Sequence, residues 1–259
     1  MKTEKITIKN RDGTGIVVLI DIAENPKGLA FVMHGNGGTK EQKHIAAFAS
    51  AFSESNYTVV RFDARNSLGE SGGKYENATA TSHFEDLEDV ISWAKSQAFY
   101  AEPFCLAGHS IGAMSAGLYA ENYPEEIKSL ILVSAIVSGK IYIDSFQKEE
   151  LEEYRKTGWK ISESKTAKPG TIKKLNWNNY ESDMVKQDLL PNAANLKMPV
   201  LLIVGDKDDK TIPEQQEMLL EKLSGKKELH IIKDGPHTFI DKKQIEEIKA
   251  IMKKWIGKI

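Results

Sequence analysis

The stretch that most constrains this chain is Phe104-Cys105-Leu106-Ala107-Gly108-His109-Ser110-Ile111-Gly112-Ala113, an apolar run broken by Gly-x-Ser-x-Gly and followed by small residues. It reads as a short buried strand that stops abruptly, with one serine at the break and a helix beyond. Gly108 and Gly112 leave room for strand and helix to pass closely on either side of a strained residue, which pushes the hydroxyl into the open. The helix that follows, through Ala113, Met114 and Ser115, aims its first amides at that hydroxyl. Negative charge developing there would meet N–H donors and the positive end of a helix. The pattern also arises by chance, so its surroundings decide what it means.

Those surroundings are a regular alternation of strands and helices. Residues 4–9 alternate polar and apolar, and a turn at Arg11-Asp12-Gly13-Thr14-Gly15 leads into Ile16 to Ile20, an antiparallel hairpin. The continuous apolar run at 28–33 reads as a strand covered on both faces, 104–109 and 127–133 read as buried strands, and 57–62, 199–204 and 228–232 read as further strands of the sheet. Helical spacing separates them: Ile45, Phe48, Ala49 and Phe52; then Leu87, Val90, Ile91 and Ala94; and finally Ile245, Ile248, Met252 and Trp255. Over 259 residues, this order predicts one mainly parallel, doubly wound α/β sheet, whose chemistry gathers at the carboxyl ends of the strands. The alternation lapses between Gly139 and Leu196. A structureless loop of that length is unusual in a compact domain, so a cap with short helices is expected there. Trp159, Trp177 and Tyr180 lie within it, and at least one of them is expected to face a substrate.

The totals exclude several classes. Lys plus Arg number 35 against 37 Asp plus Glu, a net charge of −2, which gives no reason to expect nucleic acid or an anionic membrane as partner. No run approaches the roughly 18 apolar residues that span a bilayer, and the charged, alternating start from Met1 has no apolar export segment. A cytoplasmic location is expected. The single cysteine, Cys105, cannot form an internal disulfide and reads as a small core side chain.

Four loops at one edge of the sheet offer a glycine-rich stretch (His34-Gly35-Asn36-Gly37-Gly38), a serine (Ser110), an acidic cluster (Asp206, Asp208, Asp209) and a histidine (His237 after Gly235-Pro236). A serine hydroxyl is a poor nucleophile at neutral pH and needs a base. That base needs a carboxylate to fix its tautomer and stabilise the imidazolium. The other polar residues take plainer readings. His109 packs against a helix, and His34 braces the glycine-rich loop. His44, His83 and His230 lack ligand spacing, so no metal site is expected. Gly35-Asn36-Gly37-Gly38 has neither the Lys-Ser/Thr ending of a phosphate loop nor the dinucleotide spacing. The loop 63–73 reads as structural, while Asp183, Asp188 and the glutamates at 149, 150, 152 and 153 read as a solvated face.

These residues, in the chain order serine, aspartate, histidine, resemble the α/β-hydrolase superfamily over nearly the whole length. The resemblance rests on His34 to Gly38, Asp63-Ala64-Arg65 with Gly69-Glu70-Ser71, Gly108 to Gly112, Gly205 to Pro213, and Gly235-Pro236-His237. Within it the chain looks most like compact serine esterases, the feruloyl/cinnamoyl esterase-like and monoacylglycerol-lipase-like groups. The resemblance implies the α/β-hydrolase fold: a mainly parallel eight-stranded sheet with helices on both faces and a short helical cap inserted after the sixth strand. The core would span 1–138 and 197–259, and the cap 139–196. It also implies Ser110 as nucleophile, His237 as base, Asp208 as acid, and the backbone N–H groups of Asn36 and Ile111 as the oxyanion hole. Asp208 has the usual spacing after Gly205, whereas Asp209 fits the spacing before Pro213, so Asp209 stands as the alternative acid. The loop after Asp63 departs from the family pattern through Asn66-Ser67-Leu68.

The expected activity is cofactor-free hydrolysis of a small-molecule carboxylic ester through an acyl-enzyme. Thioester or amide hydrolysis uses the same machinery, and a non-hydrolytic binding protein of this fold is the remaining alternative. Monomer and homodimer are both open.

Overall fold

The computed structural model describes residues 2–164 and 168–259. Met1 and residues 165–167, which fall in the expected core and cap segments, lie outside it. The hairpin comes first, as β1 (Lys2–Lys9) and β2 (Gly15–Ile22), antiparallel with Ile8 opposite Ile16. Then β3 (Leu29–Met33), α1 (Lys43–Ser53), β4 (Thr58–Phe62), α2 (Ala80–Ala94), β5 (Phe104–His109), α3 (Ile111–Asn122) and β6 (Ile127–Val133) alternate. After an inserted segment the alternation resumes with β9 (Val200–Gly205), α7 (Pro213–Lys222), β10 (Lys227–Ile232) and α8 (Lys242–Ile256). The eight strands form one sheet in the order β1-β2-β4-β3-β5-β6-β9-β10. β2 joins β4 antiparallel, and every pairing from β4 to β10 is parallel.

The run at 28–33, read as a doubly covered strand, is covered on both faces. Leu29, Phe31 and Met33 of β3 pack with Leu87, Val90, Ala113, Ala116 and Leu219 from α2, α3 and α7. The alternate residues Ala30 and Val32 pack with Phe48, Phe52, Ile248, Met252 and Trp255 from α1 and α8. This period-two division of one strand between two cores is the pleat at work. Cys105 lies in the second core, and burial pushes its thiol up to about 12.

Between β6 and β9 the chain forms α4 (Gly139–Asp144), α5 (Lys148–Thr157), an antiparallel hairpin of β7 (Trp159–Glu163) and β8 (Ile172–Asn176), and α6 (Trp177–Met184). The expected short helices are present as α4, α5 and α6, and the hairpin is an addition to them. Its apolar residues Ile161 and Ile172 are exposed while Lys160, Ser162 and Lys173 stand on the more covered face, so burial writes no apolar alternation into the sequence. Phe146, Leu175, Trp177, Tyr180 and Met184 form a third core together with Ile111 and Met114 at the start of α3. The insertion therefore packs directly beside Ser110.

Two of its acids also correct the sequence reading. Asp183 accepts from Thr81 N (2.9 Å) and Thr81 Oγ1 (2.5 Å), and Asp188 accepts from Ser138 Oγ (3.0 Å). They are anchors and not a solvated face. Asp63 likewise earns its structural reading, because it accepts from Lys40 N (2.7 Å), Lys40 Nζ (2.7 Å) and Glu70 N (2.9 Å), with Lys40 itself buried.

Candidate active site

Ser110 occupies the turn between β5 and α3 with φ 57° and ψ −119°, a region that side-chain-bearing residues rarely adopt. The turn exists because its flanks are glycine. A Cβ on Gly108 would lie 2.3 Å from Gly112 O, and one on Gly112 would lie 2.4 Å from His34 O. Either would push the helix off the strand.

The carboxyl ends of β3, β5, β9 and β10 meet here. Ser110 Oγ–H donates to His237 Nε2 at 2.9 Å, and His237 Nδ1–H donates to Asp208 Oδ2 at 2.9 Å. Asp208 is buried beneath the histidine, whereas the Asp209 side chain is 77% exposed, 3.8 Å from Lys210 Nζ. Of the two aspartates open in the sequence, the fold brings Asp208 to His237. Burial raises the Asp208 carboxyl, but hydrogen bonds from His237 and Thr211 outweigh it and hold the group well below the usual range. Thr211 donates to Asp208 from its backbone N–H (2.9 Å) and its hydroxyl (2.6 Å), and Lys210 N–H adds a third bond at 2.9 Å. Thr211 was missed in the sequence. The signal available was the Asp-x-x-Thr spacing, a turn in which a short side chain reaches back to the carboxylate.

The two histidines read as supports hold the loops around this trio. His34 donates from Nδ1 to Gly35 O at 2.7 Å and accepts from Ala64 N at Nε2 (3.0 Å), so it braces the glycine-rich loop as expected. Burial is the largest influence on its pKa and lowers it. His109 packs against His44 of α1, ring centroids 4.7 Å apart. It also donates from Nε2 to the His237 carbonyl at 2.8 Å, a contact invisible in local sequence because its partner lies 128 residues away.

Asn36 stands on the loop after β3, and Ile111 is the first residue of α3. Asn36 lines the same cleft as Ser110 and His237, while Ile111 begins the helix whose amino end abuts Ser110. The cleft has a volume of about 240 Å³, a little under the roughly 300 Å³ at which drug-sized ligand pockets begin. Besides Asn36, Ser110 and His237 it is walled by Tyr75, Tyr142, Lys160, Lys173 and Lys210. Here the expectation for the aromatics fails. Trp177 and Tyr180 are wholly packed in the third core, and Trp159 lies under the Lys174 ammonium, 3.9 Å from its ring centroid. Tyr75 and Tyr142 face the cleft instead.

A hydroxyl, an imidazole and a carboxylate in series can move a proton off the hydroxyl while holding the resulting imidazolium. With the serine on a strained strand-to-helix turn of a parallel α/β sheet, the architecture is that of the α/β-hydrolase fold. Residues 24–188, more than half the chain, match the family Hydrolase_4, described as serine aminopeptidase, S33. The chain belongs to that family of hydrolases. No curated protein matches it. Among solved structures it is similar to Est1E of Butyrivibrio proteoclasticus with ferulic acid bound, at 21% identity over 98% of both chains and a TM-score of 0.81. The mouse alpha/beta hydrolase domain-containing protein 10 superposes at a TM-score of 0.78, with 17% identity over 98% of this chain and 99% of that one. The esterase domain of a Rhodothermus marinus protein gives 0.73, with 17% identity over 98% of both chains. At these identities the likeness is one of fold. No helix among the described residues is long and apolar enough to cross a membrane.

Proposed function

We propose that the protein hydrolyses small to medium carboxylic esters, with Ser110 as nucleophile, His237 as general base and acid, and Asp208 as the carboxylate that orients His237. The observation that carries this reading is the unbroken series Ser110 Oγ, His237 Nε2, His237 Nδ1, Asp208 Oδ2, each link 2.9 Å. Ser110 Oγ attacks the acyl carbon as its proton passes to His237 Nε2. The carbonyl oxygen takes the negative charge and is held by the backbone N–H groups of Asn36 and Ile111, aided by the amino end of α3. Collapse breaks the ester C–O bond, and His237 gives its proton to the departing alcohol. Water then attacks the acyl-enzyme, loses its proton to His237, and the acid leaves as Ser110 recovers its hydrogen. No cofactor enters these steps.

Ester chemistry is favoured by neighbours whose names carry it, Est1E with ferulic acid and the Rhodothermus esterase domain. The family description names an aminopeptidase. Such an enzyme must hold a substrate ammonium, yet the charged side chains lining the cleft are three lysines and Glu163. Residues 139–196 act in this reading as the cap that shapes the cleft.

The test is p-nitrophenol release from acyl esters of increasing length, with methyl ferulate alongside, by the wild type and Ser110→Ala. Turnover lost in the variant supports the mechanism. A wild type no faster than the variant on every ester, and unlabelled by a fluorophosphonate, overturns it in favour of a binding protein.

A further inference from the structure

The cleft carries a feature that hydrolysis of a neutral ester does not require. Lys160, on β7 of the insertion, and Lys210, two residues after Asp208, both hold their ammonium groups over the ring of Phe146, at 4.2 and 4.3 Å from its centroid. The Lys160 Nζ also lies 5.8 Å from the Tyr154 ring centroid and 5.7 Å from that of Trp177. Lys160 makes no ion pair among the described residues, and aromatic faces are its neighbours. Among the described residues Lys210 has only the Asp209 carboxylate within ion-pair range, at 3.8 Å. Lys173 lines the same cleft. The one acid on the lining, Glu163, is exposed and accepts from Gly170 N at 2.8 Å.

Two cations converging on one ring repel each other, and aromatic faces compensate only part of the loss of water. Burial, reinforced by the positive charges of Lys173 and Lys210 and only partly opposed by Glu150 and Asp209, pushes the Lys160 ammonium down to about 7. Such an arrangement is short of negative charge, and it opens on the cleft that contains Ser110 and His237. An anion bound there would restore the missing counter-charge and accept charge-assisted hydrogen bonds from Lys160.

We infer that the substrates are esters bearing an anionic group, a carboxylate or a phosphate, which Lys160 binds with Lys210 beside it while the ester carbonyl lies at Ser110. This inference rests on the ester-hydrolase reading and names its substrate class. Lys160 thereby determines specificity and takes no part in the bond-breaking steps.

The test compares anionic esters with neutral partners of matching length. The mono-p-nitrophenyl ester of glutaric acid is set against p-nitrophenyl hexanoate, which places a carboxylate on the acyl side. 2-(Phosphonooxy)ethyl butyrate is set against butyl butyrate, which places a phosphate on the alcohol side. At least one anionic ester is expected to exceed its partner in kcat/KM by about tenfold, the size of one charge-assisted hydrogen bond. Lys160→Met should collapse that ratio to near one, Lys160→Arg should restore part of it, and added salt should shrink it. Which pair shows the preference identifies the anion. Equal rates within both pairs, or a preference that survives Lys160→Met, overturn the inference while leaving ester hydrolysis standing. If the wild type turns over no ester, the hydrolase reading falls, and titration calorimetry of glutarate into Ser110→Ala and into Ser110→Ala/Lys160→Met decides separately. Binding lost in the double variant keeps the anion site, and no binding to either removes it.

Discussion

Ser110 is held at a positive φ that its own side chain resists, and strain of this kind costs roughly 1–3 kcal/mol. Ser110→Gly removes the penalty at the price of unfolded-state entropy of about 0.5–1 kcal/mol. The glycine variant is therefore expected to be more stable than Ser110→Ala, which keeps a Cβ at the same φ, by about 1 kcal/mol. Urea denaturation of both variants checks this, and equal midpoints would mean that the strain is no larger than the entropy cost of the glycine. The two aspartates separate as sharply. Asp208→Asn leaves His237 facing an amide and is expected to lower kcat by about 10⁴, whereas Asp209→Asn, altering an exposed side chain, should stay within about twofold. A large loss in the Asp209 variant would reassign the acid. The sequence named Asp208 and kept Asp209 as the alternative, since each aspartate satisfies one of two spacings. What brings Asp208 and not Asp209 beneath His237 is the turn at 208–211, where the Lys210 amide, the Thr211 amide and the Thr211 hydroxyl supply Asp208 with three hydrogen bonds. Ser110 and His237 were readable because each stands beside glycines that a close backbone approach requires, and such glycines are a local signal.

At the level of elements, the sheet and its flanking helices were legible wherever burial writes a period into the chain. β3, β5, β6 and β9 are buried at almost every position, and α8 shows Ile245, Ile248, Met252 and Trp255 on one side. The insertion was less legible for the converse reason. The covered face of its hairpin is largely polar, and its attachments run to distant partners: Asp183 on α6 to Thr81 at the start of α2, and Asp188 to Ser138. A carboxylate that will accept from a residue 102 positions away looks the same in sequence as a solvated one. The Asp183–Thr81 contact uses both oxygens, one on a backbone N–H. Its removal leaves that half-buried amide without an acceptor. Asp183→Ala is expected to destabilise by about 1–3 kcal/mol, and the loosening should centre on the insertion. Limited proteolysis resolves the two possibilities: cleavage within 139–196 should accelerate while the core fragments persist. Uniform acceleration along the chain would show that α6 is not anchored there.

Across the whole molecule the charges nearly cancel, at −2 overall, while the cleft above Ser110 gathers three lysines and a single exposed glutamate. The local excess is costly, and its cost depends on pH in a definite direction. Lys160 is surrounded by Phe146, by Tyr154 and Glu150 of α5, by Trp177 of α6, by Lys173 of β8, and by Lys210 and Asp209 of the loop before α7. The two lysines lower its pKa and the two acids raise it, with burial the largest influence. Its folded value of about 7 lies below the roughly 10.4 of an unfolded lysine. Between those limits the unfolded chain binds more protons, so this group makes the protein more stable as pH rises from 7 towards 10. Below pH 7 both states carry the proton and the cost is constant at its full value. Lys160→Met removes the charge while keeping an unbranched apolar stem against Phe146. The variant is therefore expected to melt higher than the wild type at pH 6–7, with the difference shrinking as pH approaches 10. Saturating glutarate should narrow the same gap at pH 6–7, because a ligand that binds only the folded wild type raises its Tm. Differential scanning calorimetry across pH 6 to 10, with and without glutarate, measures both effects. A Lys160→Met variant that melts lower at every pH would make Lys160 a stabilising part of the aromatic cluster. A higher Tm closed by glutarate would mean that stability is given up at this position to keep a positive charge facing Ser110.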